Sequence, residues 1–179
     1  MPLLEVQRIC KGFGGVRAVH EVSFALTEGE LVGIMGPNGS GKTTLFNVIA
    51  GALAPDAGHV RLRGREIGGL APHRVCAHGI ARTFQLVRPF AGLTALENVL
   101  VGRLFGRADA AAAGAAAEGE RLLALVGLEG RAEVPAARLT LMDRKRLELA
   151  RALATSPSFC SSTSSWPAST LPRRPRRWR

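Results

Sequence analysis

Eight residues, Gly36-Pro37-Asn38-Gly39-Ser40-Gly41-Lys42-Thr43, restrict the architecture of this chain more than any other stretch. They fit G-x-x-x-x-G-K-[ST]. An apolar run, Leu31-Val32-Gly33-Ile34-Met35, precedes them, and apolar residues at helical spacing, Leu45, Val48, Ile49 and Leu53, follow. The pattern predicts a strand, a glycine loop and a helix in that order, the arrangement that curls backbone N–H groups around a phosphate. Lys42 would neutralise the β- and γ-phosphates of a nucleotide, and the Thr43 hydroxyl would take a Mg²⁺ position. Gly36, Asn38, Gly39, Ser40, Gly41 and Thr44 complete the candidate nucleotide contacts. The alternative is a chance glycine-rich turn with a surface lysine, and the flanking strand and helix signals weigh against it.

At 179 residues the chain has the length of one domain with at most an added lobe. No window carries the run of about 18 apolar residues that a membrane span needs. The opening Met-Pro-Leu-Leu-Glu-Val-Gln-Arg lacks the basic-then-apolar order of a secretory signal. Cys10, Cys76 and Cys160 are odd in number and widely spaced, which argues against a disulfide framework or a zinc site and suits reduced cytosolic thiols. The net charge of +10 owes half its value to Arg173, Arg174, Arg176, Arg177 and Arg179. Without that tail the balance is only mildly basic, so no nucleic-acid partner is expected.

Along the chain, Leu3 to Ile9 and Val19 to Leu26 alternate as strands do, with Gly12-Phe13-Gly14-Gly15 as the turn between them. Pro55-Asp56-Ala57-Gly58 ends the first helix, and His59 to Gly64 reads as one arm of a hairpin. A short helix around His73 to His78 and a strand from Ile80 to Phe84 follow. From Leu93 the spacing turns helical. Ala108 to Ala117 is low-complexity and alanine-rich, with further helices at Glu118 to Val126 and Leu141 to Thr155.

This order of motifs resembles the ATP-binding subunit of ABC transporters, and among these the branched-chain amino-acid importer group, over residues 3 to about 157. The resemblance implies an α/β P-loop NTPase core with an antiparallel β lobe and a helical insertion at about 86–145. It implies that Phe13 stacks on adenine, and that Gln85, in Ala81-Arg82-Thr83-Phe84-Gln85, touches Mg²⁺ and the attacking water. Thr94-Ala95-Leu96-Glu97-Asn98-Val99 would open the helical lobe that docks on membrane permease subunits. Leu139 to Leu153 matches the signature segment and its helix, whose N-terminus would face the γ-phosphate held by a second ATP-binding subunit. ATP and Mg²⁺ are the implied cofactors, and the implied location is cytoplasmic, peripheral on the inner face of the plasma membrane. On residues alone, an exposed aromatic on a turn gives stacking worth about 1 kcal/mol or more. A Phe there is as often a core plug, and Gln85 is equally an ordinary surface amide.

Two stretches depart from the family pattern. Leu141 and Met142 stand where it places glycines, adding bulk where backbone approaches phosphate, while Thr140 keeps a capping hydroxyl. After Pro157 the family places one variable residue, four apolar residues of a buried strand, then Asp-Glu. Here Ser158-Phe159-Cys160-Ser161-Ser162-Thr163-Ser164 reads as no buried strand, and no acid occurs beyond Glu148. A reading-frame slip near Ser158 accounts for this. Joining the third base of each codon to the next two makes Phe159, Cys160 and, with TC-box codons, Ser161 and Ser162 yield four apolar codons, and Thr163 and an AG-box Ser164 then permit Asp and Glu. A natural disordered tail over 158–179 is the rival account.

The expected function is therefore the ATP-binding subunit of an importer, hydrolysing ATP poorly without the missing carboxylates. A soluble P-loop kinase or GTPase is the first alternative, although no Asn-Lys-x-Asp guanine reader appears. A non-catalytic nucleotide-binding remnant is the second.

Overall fold

A computed structural model describes residues 1–83, 87–106 and 114–162. The chain divides into two compact units, residues 1–80 and 81–179.

The first unit is built on a four-stranded antiparallel sheet. β1 (Leu4–Phe13) pairs with β2 (Val16–Leu26) on one side and with β3 (Ala57–Leu62) on the other, and β4 (Arg65–Glu66) closes the edge. The expected turn shortens to Gly14-Gly15, both at positive φ, so Phe13 and Val16 face each other at the tip. Two left-handed glycines give a two-residue hairpin whose twist matches its strands. Leu4, Val6, Ile9 and Val60 from the sheet are fully buried. Helix α1 (Lys42–Ile49) buries Leu45, Val48 and Ile49, the apolar spacing that predicted it. α2 (Pro72–Ala77) starts at a proline whose missing N–H costs a first turn nothing, and it buries Val75.

The second unit packs three helices on one another: α3 (Ala95–Leu104), α4 (Ala115–Leu125) and α5 (Leu141–Ala154). Val99, Leu122, Leu123, Leu128, Leu147 and Ala150 form its core. Thr94 caps α3 in a reciprocal box: its hydroxyl accepts from Glu97 N–H, and the Glu97 carboxylate accepts from Thr94 N–H at 2.7 Å. Of the expected alanine-rich arm, residues 107–113 lie outside the described residues. β5 (Ile80–Thr83) pairs with β6 (Phe159–Ser162) in a two-stranded sheet. No helix among the described residues is long and apolar enough to cross a membrane.

Two expectations are corrected. The run Leu31–Met35 carries no strand, and its Leu31 and Met35 side chains are 84% and 94% exposed. A strand persists only where neighbouring backbone satisfies its N–H and C=O groups, and among the described residues none pairs with this run. Conversely, Phe159–Ser162 is a strand although its side chains argued otherwise. It occupies the four positions after Pro157 and one variable residue, and the open edge of β5 supplies the hydrogen bonds that its composition could not advertise.

Candidate nucleotide-binding site

The glycine loop owes its path to its two left-handed glycines. Gly39 has φ 81° and Gly41 φ 85°, a region that side chains strain to enter. Gly41 also presses on β2, so that a Cβ there would run into the Ala18 carbonyl oxygen. α1 begins at the next residue. Its cap, Gly41, offers no side-chain acceptor and its first turn holds no acid, which leaves the positive end of the helix uncompensated. Lys42 reaches back over the loop: its ammonium donates to Gly36 O at 2.6 Å, Pro37 O at 2.7 Å and Ser40 Oγ at 3.3 Å. The lysine charge and the helix N-terminus thus converge on one exposed curl of backbone, with Asn38, Ser40 and Thr43 at its surface and Thr44 half-buried. Such a curl attracts a multiply charged anion.

Phe13 is 48% exposed, which removes the core-plug alternative. Its partner Val16 lies two residues before Ala18, whose carbonyl abuts Gly41. Two residues that sequence reasoning missed hold the ring. Lys11 Nζ sits 5.7 Å from its centroid, and Asp56 binds that ammonium at 2.5 Å and the Gly12 N–H at 2.8 Å. The Lys11 ammonium, and then the Gly12 N–H, keep the Asp56 carboxyl below its ordinary pKa. The spacing of Lys11 and Phe13, two apart on one strand face, was the available signal.

Gln85 lies outside the described residues. In the second unit, Thr140 caps α5 as expected, its hydroxyl accepting from Asp143 N–H at 3.2 Å. The same hydroxyl donates to the Asp143 carboxylate, which also takes Arg131 at 2.8 Å and Arg146 at 3.2 Å. A buried carboxylate therefore already occupies this helix start, while Leu141 and Met142 point outward, 68% and 49% exposed.

Among the described residues no group of three or more His, Cys, Asp or Glu could hold a metal ion. The loop offers the Thr43 hydroxyl. Mg²⁺ keeps most of its waters and takes substrate phosphates with one or two protein oxygens, so the residues fit Mg²⁺ arriving with a nucleotide, and no protein-only metal cage.

A family profile described as ABC transporter matches residues 19–160. The high-affinity branched-chain amino acid transport ATP-binding protein LivG of Salmonella typhimurium is 39% identical over 171 residues, covering 88% of this chain and 67% of the relative. BraF of Pseudomonas aeruginosa, of the same description, is 38% identical, covering 87% and 66%. A sulfate/thiosulfate import ATP-binding protein of Chromobacterium violaceum is 41% identical over 156 residues, covering 87% of this chain but 41% of its own length. The chain thus spans about two thirds of the length of LivG and BraF. Among solved structures, a nucleotide-free ATP-binding cassette from an ABC transporter superposes with a TM-score of 0.77 at 31% identity, covering 90% of this chain and 68% of that one. A dimeric cassette bound to ADP and phosphate gives 0.79 at 27%, covering 94% and 78%. With a profile matched from β2 through β5 to the signature helix and relatives of this identity, the chain belongs to the ATP-binding cassette family of ABC transporters.

Proposed function

We propose that the chain is the ATP-binding subunit of an ABC importer for branched-chain amino acids or related nutrients. Support for the solute comes from the LivG and BraF relatives, which match over a larger share of their length than the sulfate/thiosulfate protein does. The observation that carries the nucleotide reading is the convergence of Lys42 Nζ and an uncompensated helix start on the Gly36–Thr43 curl.

In this reading the loop N–H groups and Lys42 hold the triphosphate, Thr43 contributes its hydroxyl to Mg²⁺, and Phe13 stacks on adenine against the positive charge of Lys11. ATP supplies the phosphoryl group whose transfer to water drives transport. Gln85 orients that water, and the signature helix of a second ATP-binding subunit, of the same or another chain, closes over the nucleotide. The helical unit docks on the membrane permease subunits, which holds the chain peripherally on the inner face of the plasma membrane. Hydrolysis by this chain is slow, because Thr163 and Ser164 stand where the family places Asp-Glu and neither can hold Mg²⁺ as a carboxylate or polarise water.

Titration of the purified chain with a fluorescent ATP analogue tests this. Lys42→Ala is expected to weaken binding about tenfold or more, the loss of one charge-assisted phosphate contact. Phe13→Ala is expected to weaken ATP but to leave competition by inorganic tripolyphosphate unchanged. Unchanged affinity in Lys42→Ala refutes the site. Turnover at a rate ordinary for the family refutes the hydrolysis deficit.

A further inference from the structure

The segment that follows Gln85 in the chain, residues 87–93, is fastened at two points to the helices of its own unit. From α5, the Arg151 guanidinium donates through both terminal nitrogens to the Arg88 carbonyl, at 3.3 and 3.4 Å, and lies 5.3 Å from the centre of the Phe90 ring. From α3, Asn98, fully buried, accepts from Phe90 N–H at 2.8 Å and donates to Phe90 O at 3.1 Å and Thr94 O at 2.9 Å. The Arg151 stem has a fixed course. Gly102 of α3 packs so closely on it that a Cβ there would stand 3.1 Å from Arg151 Cγ and run into the Arg151 carbonyl oxygen. A planar fork on a pinned stem meets one carbonyl and one ring face, a combination that lysine cannot reproduce.

We propose that Arg151 is a positioning residue, a clasp that ties residues 87–93 to the helix beginning at the signature segment. Arg88 is three residues from Gln85 in the sequence. The clasp fixes the path of residues 87–93 on the helical unit. Its meaning for nucleotide chemistry rests on the role proposed above for Gln85. Its existence does not.

Amide hydrogen exchange on the 179-residue chain, read by mass spectrometry peptide by peptide, tests it. Arg151→Met is expected to speed exchange over residues 87–93 about tenfold, while α4, which packs on α5, stays within about twofold. Arg151→Lys is expected to behave like Arg151→Met. Wild-type exchange in the lysine variant means charge alone suffices and overturns the clasp. Acceleration of α4 together with 87–93 reduces Arg151 to general core packing and overturns it too, as does no change anywhere. Should the Arg151 variants not fold, Phe90→Ala removes the ring from a half-exposed position and leaves α5 intact. It is expected to accelerate the same segment a few-fold, and unchanged exchange there refutes the proposal. Loss of the nucleotide reading would appear in the Lys42→Ala titration and leave these exchange rates as they are.

Discussion

Two glycines in one loop share a backbone conformation but differ in their surroundings, and the difference sets a size for each substitution. Gly39 has φ 81° and nothing within 4 Å of an added Cβ. Gly39→Ala therefore meets only the left-handed backbone penalty, about 1 kcal/mol. Gly41 has φ 85°, and its added Cβ would overlap the carbonyl oxygen of Ala18, a backbone atom of β2 at the register shift between the Gly12–Arg17 and Lys11–Val19 pairs. Relieving that overlap shifts either the loop or β2, a further cost of about 2 kcal/mol of the overpacking kind. Gly41→Ala is thus expected to destabilise the first unit by about 3 kcal/mol in total, and Gly39→Ala by about a third as much. Native-state hydrogen exchange of the β1 and β2 amides measures this unit separately from the helical one. Equal costs at the two positions would show that Ala18 does not buttress the loop.

Asn98→Ala removes a fully buried amide with its contact to the Phe90 N–H and to three carbonyls, and is expected to destabilise the helical unit by about 2–4 kcal/mol in urea unfolding. A cost below about 1 kcal/mol would mean that water takes over those groups. The Thr94 N–H and then its hydroxyl hold the Glu97 carboxyl below its ordinary value of 4.5. Because the folded pKa is depressed, Glu97 stabilises above the unfolded value, and that contribution disappears as pH falls through the folded one. Glu97→Gln is expected to flatten the acid limb of the stability profile below about pH 4.5 and leave the shape above it unchanged. An unaltered acid limb refutes the capping box. Ser161 is 4% exposed and its hydroxyl has no hydrogen-bond partner among the described residues. Ser161→Ala is expected to raise stability by about 1 kcal/mol in thermal unfolding, and a loss of stability would reveal a partner.

The glycine loop was legible because its information is local. Glycines at fixed offsets encode positive φ, and the apolar spacing after them encodes which face of α1 turns inward. The α3 start was equally local, since Thr94 and Glu97 stand three apart as a capping box requires. Phe13 was half legible: the turn placed it, but only the cross-strand register with Val16, and the hold of Asp56 on Lys11 from 45 residues away, give the ring its setting. Gln85 was named from its motif, and it lies outside the described residues.

The two failures have one cause and opposite signs. Side-chain pattern reports what a strand would bury, whereas a strand exists by virtue of a neighbour. Leu31–Met35 has the apolar side chains but no paired backbone among the described residues, so it stands exposed. Phe159–Ser162 has the neighbour, the edge of β5, and takes up the ladder with serines where apolar residues belong. The second case leaves a trace that the first does not. Pairing satisfies the backbone whatever the side chains are, but the Ser161 hydroxyl is buried with no partner among the described residues. A chain selected for this strand would carry an apolar residue there, and the neighbouring reading frame would supply one if the serines use TC-box codons. A buried hydroxyl at this position is what a frame slip near Ser158 would leave. Sequencing the gene across that codon decides it: an open second frame encoding apolar residues followed by Asp-Glu supports the slip, and its absence makes the serine strand native.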